Sequence, residues 1–372
     1  MTSSCARENS RFPFSSIIVV AATLTAVLAP GRLSAQSAHD GGAHVLIADQ
    51  FNNRVIEVDR ATHKVVWSFG DGSDVAGPHS VVGVNDAERI GSFTLIAGTG
   101  TPPGAPGCSD TVNGCPDNRV FIVDHRGAIV WQYGQAGVTG SGPNQLNTPV
   151  QAVFLSGFPG HPGFQVMIAD QANQRIIVVD IFTGNILWQY GTTGVSGNGP
   201  NQLSNPNSAE VLENGHILIA DESNNRVIEI TPAGAIVKTF TGGGSFNGTA
   251  FASRLANGDT LVSDSLNNRI VEVDGTDHIV WQYVTDTAPG SNANPQPTRG
   301  VRLRNGHTLI SDQYNNRVIE VTSSGKIVFQ QGKTNVAGNG FNRLNGPYDA
   351  KVIGDFTGLT PPADFDHDKD DH

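Results

Sequence analysis

Five aspartates, Asp49, Asp170, Asp221, Asp264 and Asp312, each stand five residues before an arginine, namely Arg54, Arg175, Arg226, Arg269 and Arg317. Carboxylate and guanidinium at that spacing can serve a ligand, or they can satisfy a turn. In the second case the carboxylate accepts turn amides and faces the guanidinium returning on the partner strand. Opposite charges placed at a turn usually satisfy it. The intervening QFNN, ESNN and SLNN stretches add Asn, which tolerates left-handed backbone and ties a turn to itself. The DxxNNR pattern is therefore expected to be a structural clamp. A sixth copy departs from it: Gly98 replaces the Asp, and an insertion over 99–116 carrying Cys108 and Cys115 precedes Arg119. That loop reads either as a lid or as a tolerated surface excursion.

The aligned arginines recur at intervals of 43 to 65 residues, which is the spacing of a structural repeat. Before each Asp lies an apolar run such as HVLIA or HILIA, suited to a strand covered on both faces. After each Arg comes a second strand, RVIEV or a close variant. A Gly- or Asp-bearing turn then leads to a third, VVWSF, IVWQY or ILWQY, in which Trp67, Trp131, Trp188 and Trp281 share one register that suits packing between repeats. A fourth strand precedes the apolar run, as in PNSAEVLENGH, and its NG turn makes a tight hairpin. Six such units specify an all-β fold, a six-bladed β-propeller of four-stranded antiparallel blades. The first repeat lacks its fourth strand, whereas LNGPYDAKVI (344–353) matches LSNPNSAEVL of the fourth repeat. The C-terminal strand is expected to complete the first blade and close the ring.

The residues opening the innermost strands approach the central channel: His79-Ser80, Val150-Gln151, Asn207-Ser208, Thr249-Ala250, Thr298-Arg299 and Tyr348-Asp349. Unlike the clamp they differ in every repeat. His79, Asn207, Arg299, Tyr348 and Asp349 could together bind a small polar or anionic ligand at the axis, or simply line a water-filled channel mouth.

With GNGPNQLSNP, AEVLENGHILIAD and NNRVIEI in place, residues 44–353 resemble NHL-repeat propellers. The stretch NGHTLISDQYNNRVIEVTSSGKIV is also similar to the repeats of bacterial arylsulfotransferase-like propellers. That second resemblance implies a histidine that carries a sulfuryl group among Arg and Asn, and on this chain the residues would be His79, Arg299 and Asn207.

Residues 1–35 read as a secretory signal, with Arg7 and Arg11 ahead of the apolar run Ile17 to Ala29, which is too short for a membrane span. A linker, 36–43, then leads to the propeller, 44–358, and to an acidic disordered tail, 359–372. Cys108 and Cys115 close a short loop in an exported chain, which favours a disulfide over free thiols or a metal site. A net charge of −11 disfavours nucleic acid, whose affinity comes from neutralising phosphates. The sequence suggests no metal site and no cofactor. The expectation is a secreted monomer that binds a protein or a small polar ligand through the face bearing the 99–116 insertion and the channel mouth. The rival is a small-molecule transferase or hydrolase centred on His79.

Overall fold

Apolar runs of five or six residues, punctuated by Gly, Asn and Asp, form strands too short to bury a core alone, so they assemble into sheets that must pack on one another. The computed structural model describes residues 42–355, which fold into six four-stranded antiparallel sheets. The expected signal segment, most of the linker and the acidic tail lie outside the described residues. Blade four shows the plan: Pro206–Val211 pairs with Ile217–Asp221, that strand with Arg226–Ile230, and that one with Ile236–Phe240. The innermost strands of blades one to six are Pro347–Val352, Val84–Ile90, Pro149–Phe158, Pro206–Val211, Thr249–Arg254 and Pro297–Arg302. They touch one another in a closed circle. The fold is a six-bladed β-propeller.

Ring closure follows the expected route. Pro347–Val352 pairs with His44–Asp49, setting Val352 opposite Val45 and Ala350 opposite Ile47. The first blade thus takes its innermost strand from the far end of the chain.

The apolar cores lie between blades. One joins Val150, Met167, Ile176 and Tyr190 of blade three to Ala209, Ile217 and Ile228 of blade four, and equivalent cores sit at the other five junctions. A fully buried Ile or Leu contributes about 1.5–3 kcal/mol, so these faces supply most of the stability and the polar turns set geometry. The tryptophans cross the same junctions. Their indole N–H groups donate to carbonyls of the next blade: Trp67 to His125 at 3.1 Å, Trp131 to Ile181 at 2.9 Å, Trp188 to Pro232 and Trp281 to Ser323 at 2.8 Å.

Candidate functional site

The DxxNNR turns and the connections entering the innermost strands are hydrogen-bonded together on one face. In blade four, Asp221 Oδ2 accepts from Arg226 Nε and Asn224 Nδ2, both at 2.7 Å, while Oδ1 accepts the Ser204 N–H at 2.7 Å. The same three contacts recur at Asp49 with Arg54, Asn52 and Asn345; at Asp170 with Arg175, Asn173 and Asn147; and at Asp264 with Arg269, Asn267 and Asn247. Asp312 keeps Arg317 and Asn315. Burial pushes the Asp49, Asp170 and Asp221 carboxyls up and Asp312 to about 6, against the opposing pull of these donors. The following Asn adopts the left-handed backbone expected of it, as at Asn225 with φ 52°. Its side chain then accepts an N–H from the connection of the next blade, Asn225 from Gly248 at 2.7 Å and Asn53 from Gly83 at 2.9 Å. One turn therefore fastens two successive connections.

Blade two corrects the reading that its clamp is broken. Asp117, two residues before Arg119, swings into the place of the missing carboxylate and grips Arg119 with both oxygens at 2.5 and 3.1 Å, while accepting the Val82 N–H at 2.8 Å. A Cβ on Gly98 would lie 2.6 Å from the Asp117 carboxyl carbon, so the glycine makes the space that Asp117 fills. Cys108 and Cys115 form the disulfide, and the 99–116 loop that carries them is held beside blade one by Asn53 Nδ2 donating to the Gly107 carbonyl at 2.8 Å.

Two expected channel positions are also corrected. The innermost strand of blade two begins at Val84, so His79 lies upstream on an exposed connection, and the residues in register with Asn207-Ser208 are Asn85-Asp86. In blade five they are Ala250-Phe251 rather than Thr249-Ala250, because Thr249 pairs with Asp264 as Pro206 pairs with Asp221. His79 is thus not gathered with Arg299 and Asn207, which are buried around the axis.

The channel side chains satisfy the innermost edges. Asp86 accepts the Ala152 N–H at 3.1 Å, Gln151 that of Ala209 at 2.6 Å, Ser208 that of Ala252 at 3.2 Å and Asp349 that of Ala87 at 3.3 Å. Two residues further on, Glu88 and Glu210 accept from Phe154 and Arg254 at 3.1 and 3.0 Å. These are N–H groups that a sheet edge would otherwise leave unpaired.

Charge fills the middle of the channel. Arg299 reaches Asp86 at 3.0 Å and Asp349 at 2.8 Å, and Lys351 reaches the same two carboxylates at 2.8 and 2.6 Å. Burial alone would lower the Lys351 ammonium, but Asp349 and Asp86 outweigh it and hold it above its ordinary value. Glu88, below them, is pushed up to about 8 by burial despite Lys351 nearby. The Arg299 guanidinium lies 4.3 Å from the Phe251 ring centre. At the mouth Tyr348 of blade one extends to blade four, diametrically opposite, where Asn207 Nδ2 donates to its hydroxyl at 2.8 Å. Asn207 also donates to Glu222 at 2.7 Å, as Gln171 does at 3.1 Å. Gln313, Gln50 and Asn85 form a second chain of amides at 2.7 Å per bond. The protein's own side chains meet across the axis, and among the described residues there no nucleophile is paired with a base. Among the described residues no three His, Cys, Asp or Glu side chains are grouped to hold a metal.

The sequence matches the profile of a family described as "Outer membrane protein assembly factor BamB" over residues 23–283, from the three outer strands of blade one through blade five. The chain belongs to this family. The finer resemblances to NHL-repeat and arylsulfotransferase-like propellers are not part of that match. No curated protein matches the sequence. Among solved structures, a protein of unknown function from Bacteroides caccae is 16% identical, with 77% of this chain and 92% of that one covered at a TM-score of 0.49. Virginiamycin B lyase from Staphylococcus aureus is 12% identical, with 77% and 84% covered at 0.46. Likenesses this distant carry no argument about activity.

Within the BamB-type frame, the turn-bearing face carries half of the exposed large apolar side chains among the described residues, the rest standing on the outer strands and the turns that lead into them. Val75, Val112, Val138, Val195, Leu266, Tyr314, Val336 and Phe341 are exposed on its connections, its turns and the disulfide loop, Val112 at 79% and Phe341 at 71%. Sequence reasoning missed Asp86, Glu88, Lys351 and Glu222. A signal for one of them was present: Asp86-Ala87 repeats Asp349-Ala350, and a small residue follows at the equivalent place in every blade, as Ala87, Ala152, Ala209, Ala252, Gly300 and Ala350.

Proposed function

We propose that this protein is an exported scaffold that binds a protein partner through the face carrying the 99–116 loop, the connections and the channel mouth. The observation that carries the reading is the contrast on that face: apolar side chains stand exposed on its connections, turns and loop, while the polar groups of the channel are engaged with one another. Exposed apolar residues are ordinary singly, and a partner seated on this face would cover those of its connections and its disulfide loop together. The family description, an assembly factor, supports a protein partner rather than a substrate. The disulfide and that description are compatible with an oxidising compartment.

The test uses a partner captured by the purified chain and then re-bound quantitatively. Phe341→Asp combined with Val112→Asp is expected to weaken binding about tenfold or more with no change in melting temperature. Unchanged binding would overturn the reading. So would turnover of aryl sulfates or esters that disappears in His79→Ala.

A further inference from the structure

The carboxylates of the channel divide sharply by company. Asp86 and Asp349 are paired with Arg299 and Lys351, Glu88 feels Lys351, and Glu210 feels Arg254. Among the described residues Glu222 has only neutral partners, the amides of Asn207 and Gln171. Its position in the repeat is neutral elsewhere, occupied by Gln50, Gln171, Ser265 and Gln313. Both Glu222 and Tyr348 keep part of their surface open, unlike Asn207 beneath them. Asn207 Nδ2 donates both to Glu222 at 2.7 Å and to the Tyr348 hydroxyl at 2.8 Å, which sets that hydroxyl beside the carboxylate. Burial holds the Glu222 carboxyl above its ordinary value because no cation offsets it.

A half-buried carboxylate without a counter-charge, oriented by two amide donors and set beside a tyrosine hydroxyl, is suited to an organic cation. The carboxylate supplies a charge-assisted hydrogen bond to the ammonium. We infer that Glu222, beside the Tyr348 hydroxyl at the channel mouth, receives one alkylammonium group of a ligand, in the first instance a lysine side chain presented by the partner. The inference rests on the scaffold reading for the source of that group, but the site itself does not depend on it.

The experiment titrates the intact folded chain at low salt with Nα-acetyl-lysine amide, with Nα-acetyl-norleucine amide as the neutral control, by calorimetry. Saturable binding of the lysine compound alone is expected. Glu222→Gln, which can still accept from Asn207 and Gln171, should weaken it about tenfold or more at an unchanged melting temperature. A lysine-bearing peptide that binds more tightly than the amide assigns the source to a polypeptide, whereas equal affinities assign it to a free amine; either result supports the ammonium site. Equal binding of the norleucine compound, or equal affinity in Glu222→Gln, overturns it. Should Glu222→Gln misfold, salt dependence in the unmodified chain decides: affinity must fall as screening rises to about 0.5 M, and salt-independent binding overturns the site. Phe341→Asp is expected to leave lysine-amide binding intact while losing the partner. Lost ammonium binding with intact capture therefore sinks this inference alone, and the reverse sinks the scaffold reading alone.

Discussion

Two buried polar layers meet on the turn-bearing face, and they solve one problem in opposite ways. The clamp layer uses the same residues in nearly every blade: an Asp that holds its own Arg and a connection amide, and an Asn that holds the next connection. The channel layer changes residue from blade to blade, yet Asp86, Gln151, Ser208 and Asp349 do a single job, accepting the next blade's edge N–H. Any acceptor of suitable reach can do this, so the position tolerates variety. Repetition therefore does not separate scaffold from function here. The residue that stands apart is Glu222, which breaks the repeat and is not neutralised internally.

The sharpest way to break the comparison is at the charge cluster, where a lost partner strands a buried charge. Lys351→Ala removes the ammonium shared by Asp86 and Asp349 and should cost about 3–5 kcal/mol, measured as a fall in denaturant midpoint. A cost near zero would mean that the cluster is not what locks the closing strand. Next in size come the clamps. Asp221→Ala and Asp117→Ala should each cost about 3 kcal/mol, and adding Gly98→Asp to Asp117→Ala should recover part of that loss, because it returns the carboxylate to its usual place. No recovery would show that blade two is not built by substitution of one Asp for another.

A smaller effect is set by pH. Glu88 lies at about 8 in the folded chain against an ordinary 4.5. A raised folded value adds stability that is complete below 4.5 and is lost as pH rises through 8. The denaturant midpoint should therefore fall between about pH 5 and pH 8, and Glu88→Gln should flatten that slope; an unchanged slope contradicts the burial argument. The smallest effect is expected at His79. As an exposed loop residue it should give His79→Ala within about 0.5 kcal/mol of the native chain, and a larger change would return it to the site.

The sequence was most legible where a residue type has few alternatives. Six arginines in register and NG turns before buried strands led directly to six blades, and PYDAKVI led to the closing strand. It was least legible where a contact is long-range. The innermost strand of blade two has no NG turn, so its register slid to His79 instead of Asn85. The Gly98 exchange with Asp117 involves residues nineteen apart, drawn together by a loop whose path no local pattern dictates. Tyr348 and Asn207 were picked as neighbours of the axis, but that one crosses it to the other depends on ring geometry alone.

Hydrogen exchange on the intact chain, followed at the amides of Ala350, Lys351 and Val352, bears most directly on how the toroid is sealed. If the C-terminal strand is zipped to His44–Asp49 and pinned by Arg299 and Asp86, these amides should exchange only through global unfolding, as slowly as the inner-strand amides of blade four. Exchange at the rate of the surface connections would contradict the closed ring and the sealed channel that depends on it.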